Sequence, residues 1–203
     1  MSRRGRFITV EGVDGAGKST HLQFIADSVS PGRHVIATRE PGGTDLAEQL
    51  RGAILGQPLG AIAETLLIFA ARADHVARVI APALKAGSWV VCDRFSDATF
   101  AYQGAGKGVA AELIESLCRA AHPGLQPDRT ILFDCSYEVA SRRLAASGKK
   151  LDRFEREDRA FFERVRAAYL ARAKAEPARV RVIDASLEVA AIHKALSMEL
   201  GLD

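Results

Sequence analysis

At 203 residues, with 48% hydrophobic and 26% charged side chains, the chain has the size and balance of one soluble, compact α/β domain, which excludes a disordered or fibrous class. A net charge of +3 suits anionic ligands but is too weak and too dispersed for a nucleic-acid partner. No apolar run reaches membrane-spanning length, so no membrane partner is expected, and the basic residues 2–6 run straight into a strand, unlike a signal peptide. Cys92, Cys118 and Cys135 lie far apart without metal-ligand spacing and read as reduced, mostly buried residues of a cytoplasmic protein.

The first predicted strand, residues 6–11, is rich in β-branched and aromatic side chains. It leads into Gly12-Val13-Asp14-Gly15-Ala16-Gly17-Lys18-Ser19, which fits G-x-x-x-x-G-K-[ST]. Leu22, Phe24, Ile25 and Val29 then repeat at helical spacing. Strand, glycine loop and helix form a phosphate cradle: glycines let backbone N–H groups point inward, and the helix adds its positive end. Lys18 is placed to reach the β- and γ-phosphates of a nucleoside triphosphate, and the Ser19 hydroxyl to ligate Mg²⁺.

Further strands are expected at 34–38, 89–93, 130–134 and 180–184, alternating with helical stretches. That alternation predicts a five-stranded parallel sheet with helices on both faces, and a ligand crevice at the carboxyl ends of the strands. The second strand runs into Thr38-Arg39-Glu40-Pro41-Gly42-Gly43, placing Arg39 and Glu40 at that crevice, and Arg51 falls on the helix that follows. A long helix covers 64–76 and continues to Ile80, where Pro82 is expected to disturb it. Within it Arg72 follows an apolar run and needs either the surface or an acceptor. The third strand ends in Asp93-Arg94, where a carboxylate suits a Mg²⁺-water shell and a guanidinium a phosphate. Aromatic, hydroxyl and amide groups then interleave through Thr99, Tyr102 and Gln103, a mixture suited to a flat, hydrogen-bonding ligand such as a nucleobase. Residues 142–166 are dense in charge, read either as a solvated helix pair broken at Ser147-Gly148 or as a mobile basic lid.

Taken together, the run from Glu11 through Thr20, Arg39-Glu40-Pro41-Gly42-Gly43, Phe69-Ala70-Ala71-Arg72, Asp93-Arg94-Phe95 with Ala101-Tyr102-Gln103-Gly104, and Leu151-Asp152-Arg153 resemble thymidylate kinases of the bacterial type, in order and near-family spacing over most of the chain. The resemblance implies a single P-loop domain over 1–203 with a basic lid near 142–156, and a homodimer. It also implies transfer of the γ-phosphoryl group of MgATP to dTMP, a step towards dTTP. By the same resemblance the loop residues Gly12, Val13, Asp14, Gly15, Ala16, Gly17, Lys18, Ser19 and Thr20 hold ATP, with Ser19 and Asp93 on the metal. Asp14 would meet the deoxyribose 3′-hydroxyl, and Arg39, Arg51 and Arg94 the acceptor phosphate, beside Glu40. Arg72 would read thymine O4, Thr99 and Gln103 the remaining polar edge, and Tyr102 would press on the sugar.

Three positions differ from many relatives. Ile68 stands at the usual stacking Phe, so Phe69 is the expected stacking ring. Ala98 replaces a Ser. Gly15 stands where some members carry a P-loop Arg, so the lid should supply the cation: Arg153 as a catalytic group beside Lys18 and Arg94, with Arg143, Lys149 and Lys150 behind it. The competing readings are another small-acceptor kinase on the same fold, which segments 38–43 and 93–104 argue against, and a nucleotide-dependent switch, whose Asn-Lys-x-Asp motif is not present.

Overall fold

The computed structural model describes residues 4–148 and 151–201. Strands β1 (Phe7–Gly12), β2 (Val35–Arg39), β3 (Trp89–Asp93), β4 (Arg129–Asp134) and β5 (Val180–Asp184) form one parallel sheet in the order β2-β3-β1-β4-β5. β1 is buried throughout, as a central parallel strand covered on both faces must be, whereas the edge strands β2 and β5 carry exposed positions. The register sets Val10 beside Asp93 and Arg39 beside Asp93, so the functional carboxyl ends of β1, β2 and β3 lie level. The chain departs in opposite directions from β1, and the crevice opens there.

Alternating strand residues feed two apolar layers. Ile8, Val10 and Val91 pack with Ile25 and Val29 of α1 (Lys18–Val29) and with Ile192 and Leu196 of α9 (Val189–Leu200). Their neighbours Phe7, Val90 and Cys92 pack with Ile80 and Leu84 from the opposite side. The remaining helices are α2 (Asp45–Gly56), α3 (Ala61–His75), α4 (Ala81–Lys85), α5 (Ser96–Thr99), α6 (Ala111–Ala121), α7 (Tyr137–Ala146) and α8 (Arg159–Ala175).

Pro82 does not end the long helix. A π-helical turn over Val76–Ile80 widens the hydrogen-bond ladder, and Pro82 falls in the first turn of α4, where its missing N–H costs little. A second π-helical turn, Phe100–Gly106, continues α5 and carries Tyr102 and Gln103 inward. Such turns recur at functional sites because they re-aim side chains without ending the helix.

Candidate active site

Three loop glycines, Gly12, Gly15 and Gly17, adopt positive φ of 139°, 80° and 89°. A Cβ on Gly12 would stand 2.4 Å from the Phe133 carbonyl oxygen, and one on Gly15 2.6 Å from that of Ala140, so neither position admits a side chain. The loop delivers the chain to α1, whose N-terminus has no side-chain cap and leaves its first amides for an anion. Lys18 is buried, and its Nζ donates to the carbonyls of Gly12 (3.0 Å) and Val13 (3.1 Å). Burial, then the charge of Arg94, lowers its pKa, against the pull of Asp93, Asp14 and Glu11. Arg143 of α7 donates to Ala16 O (3.2 Å) and Ala185 O (2.8 Å), tying the loop to the end of β5. Gly15, Gly17, Lys18, Ser19, Thr20, Arg39 and Arg143 line a cleft of about 1520 Å³.

A second, smaller cleft of about 630 Å³ lies alongside. Its far end is built on Arg72, almost fully buried. The Arg72 Nε donates to Glu40 Oε2 (2.6 Å), and its Nη2 to the Phe95 carbonyl (3.1 Å) and Thr99 Oγ1 (3.0 Å), which leaves Nη1 a buried donor without a partner. Glu40 Oε1 meets His75 Nδ1 at 3.0 Å. Burial alone would raise the Glu40 carboxyl, but the Arg72 charge and the His75 bond outweigh it and hold it below the usual range. At the near end Tyr102 donates to Asp14 Oδ2 (2.9 Å), while Arg94 Nη2 donates to Asp14 Oδ1 (2.5 Å) and to the Tyr102 hydroxyl (3.0 Å). Arg94 Nη1 donates to Tyr169, whose hydroxyl in turn donates to Glu11 (2.7 Å). Burial pushes the Asp14 carboxyl up, and the charges of Arg94 and Lys18 more than reverse that.

The two clefts share a wall made of Asp14, Glu40, Arg51, Arg94 and Asp152. Two guanidinium groups therefore stand between a cleft with Lys18 on one side and a cleft lined by Arg72, Thr99, Tyr102 and Gln103 on the other. This is the layout of an enzyme that aligns two phosphates.

The sequence model of the thymidylate kinase family matches residues 10–196. The chain belongs to the thymidylate kinase family. It is 56% identical to the thymidylate kinase of Bordetella petrii over 201 residues, 98% of this chain and 97% of that protein. The thymidylate kinase of Cupriavidus metallidurans is 52% identical over 193 residues, 95% of this chain and 96% of that one. A crystal structure of thymidylate kinase from Ehrlichia chaffeensis matches with a TM-score of 0.81 at 33% identity, over 98% of this chain and 99% of that chain.

The Mg²⁺ that accompanies ATP in the thymidylate kinase family fits the residues present. Asp93 Oδ1 is buried without a hydrogen-bond partner, and Asp93 and Ser19 line the same cleft.

Two of the expected site residues lie outside the linings of both clefts. Phe69 does not line the smaller cleft: it packs with Val109 and Ile114, and its predecessor Ile68 faces the cavity instead. One helical residue is about 100° of rotation, so only one of the two can point there. Arg153 lines neither cleft; it donates to the Ile54 carbonyl and pairs with Glu64, a fully buried carboxylate that draws the nearest guanidinium. Arg143 is the lid-side arginine at the P-loop. Lys149 and Lys150 lie outside the described residues. Arg39 faces the larger cleft while paired with Glu48 at 2.9 Å.

Sequence reasoning gave no role to Glu11, Glu64, His75, Phe154 or Tyr169. Phe154 lines the smaller cleft from the lid side, next to the Leu151-Asp152-Arg153 segment. For Tyr169, deep in α8, no local signal exists, because its partner Glu11 is remote in sequence.

Proposed function

We propose that the chain phosphorylates dTMP with the γ-phosphoryl group of MgATP, giving dTDP and ADP, and that the two clefts are the donor and acceptor sites. Lys18 and the P-loop amides bind the donor's β- and γ-phosphates, and Arg143 adds positive charge from α7. Ser19 and Asp93 hold Mg²⁺, which when bound neutralises charge on the phosphates. Arg51 and Arg94, in the shared wall, fix the acceptor phosphate in line with the donor, with Arg39 beside them. The acceptor phosphate is already a nucleophile, so positioning and charge stabilisation carry the rate. Asp14 takes the 3′-hydroxyl, and Tyr102 limits room beside the sugar. Arg72 Nη1 donates to thymine O4, Gln103 meets N3, and Ile68, Phe95 and Phe154 supply the apolar surface against the base.

The observation that carries this reading is the unpartnered Arg72 Nη1, buried in a cleft whose other end shares Arg94 with the P-loop cleft. A coupled ADP-release assay with MgATP and a panel of nucleoside monophosphates tests it. The expected result is turnover that needs an acceptor and favours dTMP. Preference for another monophosphate, or ATP hydrolysis indifferent to any acceptor, would overturn it.

We also infer a homodimer working in the cytoplasm. Leu46 of α2 and Ile62 and Leu66 of α3 are about half exposed on two helices that pack together, an apolar face suited to a two-fold partner. Three free cysteines suit a reducing compartment.

A further inference from the structure

We propose that Glu64 is a positioning residue for base selection: it fixes the Gln103 side-chain amide so that its carbonyl oxygen, not its NH₂ group, faces the acceptor cleft. The proposal rests on reading that cleft as the dTMP site. Glu64 lies in the first turn of α3 and is fully buried. Its Oε2 is taken by Lys107 Nζ (2.8 Å) and by Arg153. That leaves Oε1, which receives Gln103 Nε2 at 2.8 Å. A carboxylate offers acceptors only, so the amide nitrogen must turn towards it. A flipped amide would set oxygen against oxygen in a buried site, losing a hydrogen bond and adding repulsion.

The carboxylate is itself held in place. Lys107 and Arg153 stand 4.6 Å and 4.5 Å from the centre of the Phe154 ring, so the lid's aromatic covers both cations that hold Oε2. Gln103 is buried and lines the cleft, and among the described residues no donor meets its Oε1. The cleft thus presents an acceptor at Gln103 and a donor at Arg72 Nη1. A pyrimidine with a 4-keto oxygen and a protonated N3 satisfies both. Cytosine, with a 4-amino group and a bare N3, opposes both. Glu64 touches no part of the nucleotide, yet it decides which face of an otherwise ambidextrous amide the base meets.

Glu64→Gln reverses the constraint: Lys107 and Arg153 keep the oxygen of the new amide, so its NH₂ group faces Gln103 and draws the Gln103 carbonyl away from the cleft. The expected result is a fall of roughly tenfold or more in the ratio of kcat/KM for dTMP over dCMP, carried by KM more than kcat, with dUMP following dTMP. The exchanged pair, Glu64→Gln with Gln103→Glu, restores an acceptor towards the cleft and should recover the ratio. It also serves where Glu64→Gln alone does not fold. An unchanged dTMP-to-dCMP ratio in Glu64→Gln, or an exchanged pair that stays unselective, overturns the proposal. Failure of the unaltered protein to use dTMP would instead overturn the assignment of the cleft.

Discussion

Arg94 reaches its place between the two clefts through a backbone conformation that few side chains adopt, with φ of 69°. The cost is met by its surroundings: Asp14, Tyr102 and Tyr169 take its donors, and the Tyr102 ring lies 4.7 Å beneath the guanidinium. Replacement by Lys keeps the charge and loses the fork, so Arg94→Lys should lower kcat roughly a hundredfold in steady-state kinetics while ATP binding measured by calorimetry changes little. One step behind Arg94, Glu11 is sealed in and accepts from the Phe95 amide and the Tyr169 hydroxyl. Burial, then the nearby Asp97 charge, raises its pKa from 4.5 to about 7. A carboxyl with a raised pKa in the folded state binds its proton more tightly there than in the unfolded chain. Its favourable contribution is complete below the unfolded value and is lost as pH rises through 7. Glu11→Gln, which cannot ionise, should therefore gain stability relative to the parent between pH 5 and 8, on the order of 3 kcal/mol in full, as read by urea unfolding across that pH window.

Elements that act through local chemistry were the most legible in the sequence. The P-loop needs glycine at particular φ values and a Lys-Ser at the helix start, and all of these sit within one short stretch. The strands showed through β-branched runs ending in charge, and their observed bounds differ from expectation by a residue or so at either end. The lid was not legible in the same way. Arg153 and Arg143 both sit in a basic segment, and which of them meets the loop depends on distant partners: Glu64 takes the first, while Ala16 and Ala185 take the second. Likewise Ile68 and Phe69 are neighbours in sequence, and the packing of α3 against α6 decides which one lines the smaller cleft. From the observed placement, Arg143→Ala should raise KM for ATP about tenfold or more and leave KM for dTMP nearly unchanged, measured by varying each substrate against saturation of the other.

At the scale of the whole molecule, α2 and α3 send Arg51 and Arg72 into the cleft linings and also carry the half-exposed Leu46, Ile62 and Leu66, which line neither cleft. Placing a charge there should separate two copies without touching a ligand. For the homodimer inferred above, Leu66→Glu is expected to move the protein in light scattering from twice the chain mass of 21.8 kDa to that mass itself. The widened turn at Phe100–Gly106 has a consequence of another kind. A stretch wound looser than its neighbours is one missing residue away from regular α-helix, and such a loss would close the wide turn and shift the residues inside it by about 100° relative to those before it. Thr99, upstream, would stay on the cleft while Gln103 swung out of it. Tolerance of deletions across this molecule should therefore reach a sharp minimum at these seven positions, where chain length itself becomes a determinant of which base is recognised.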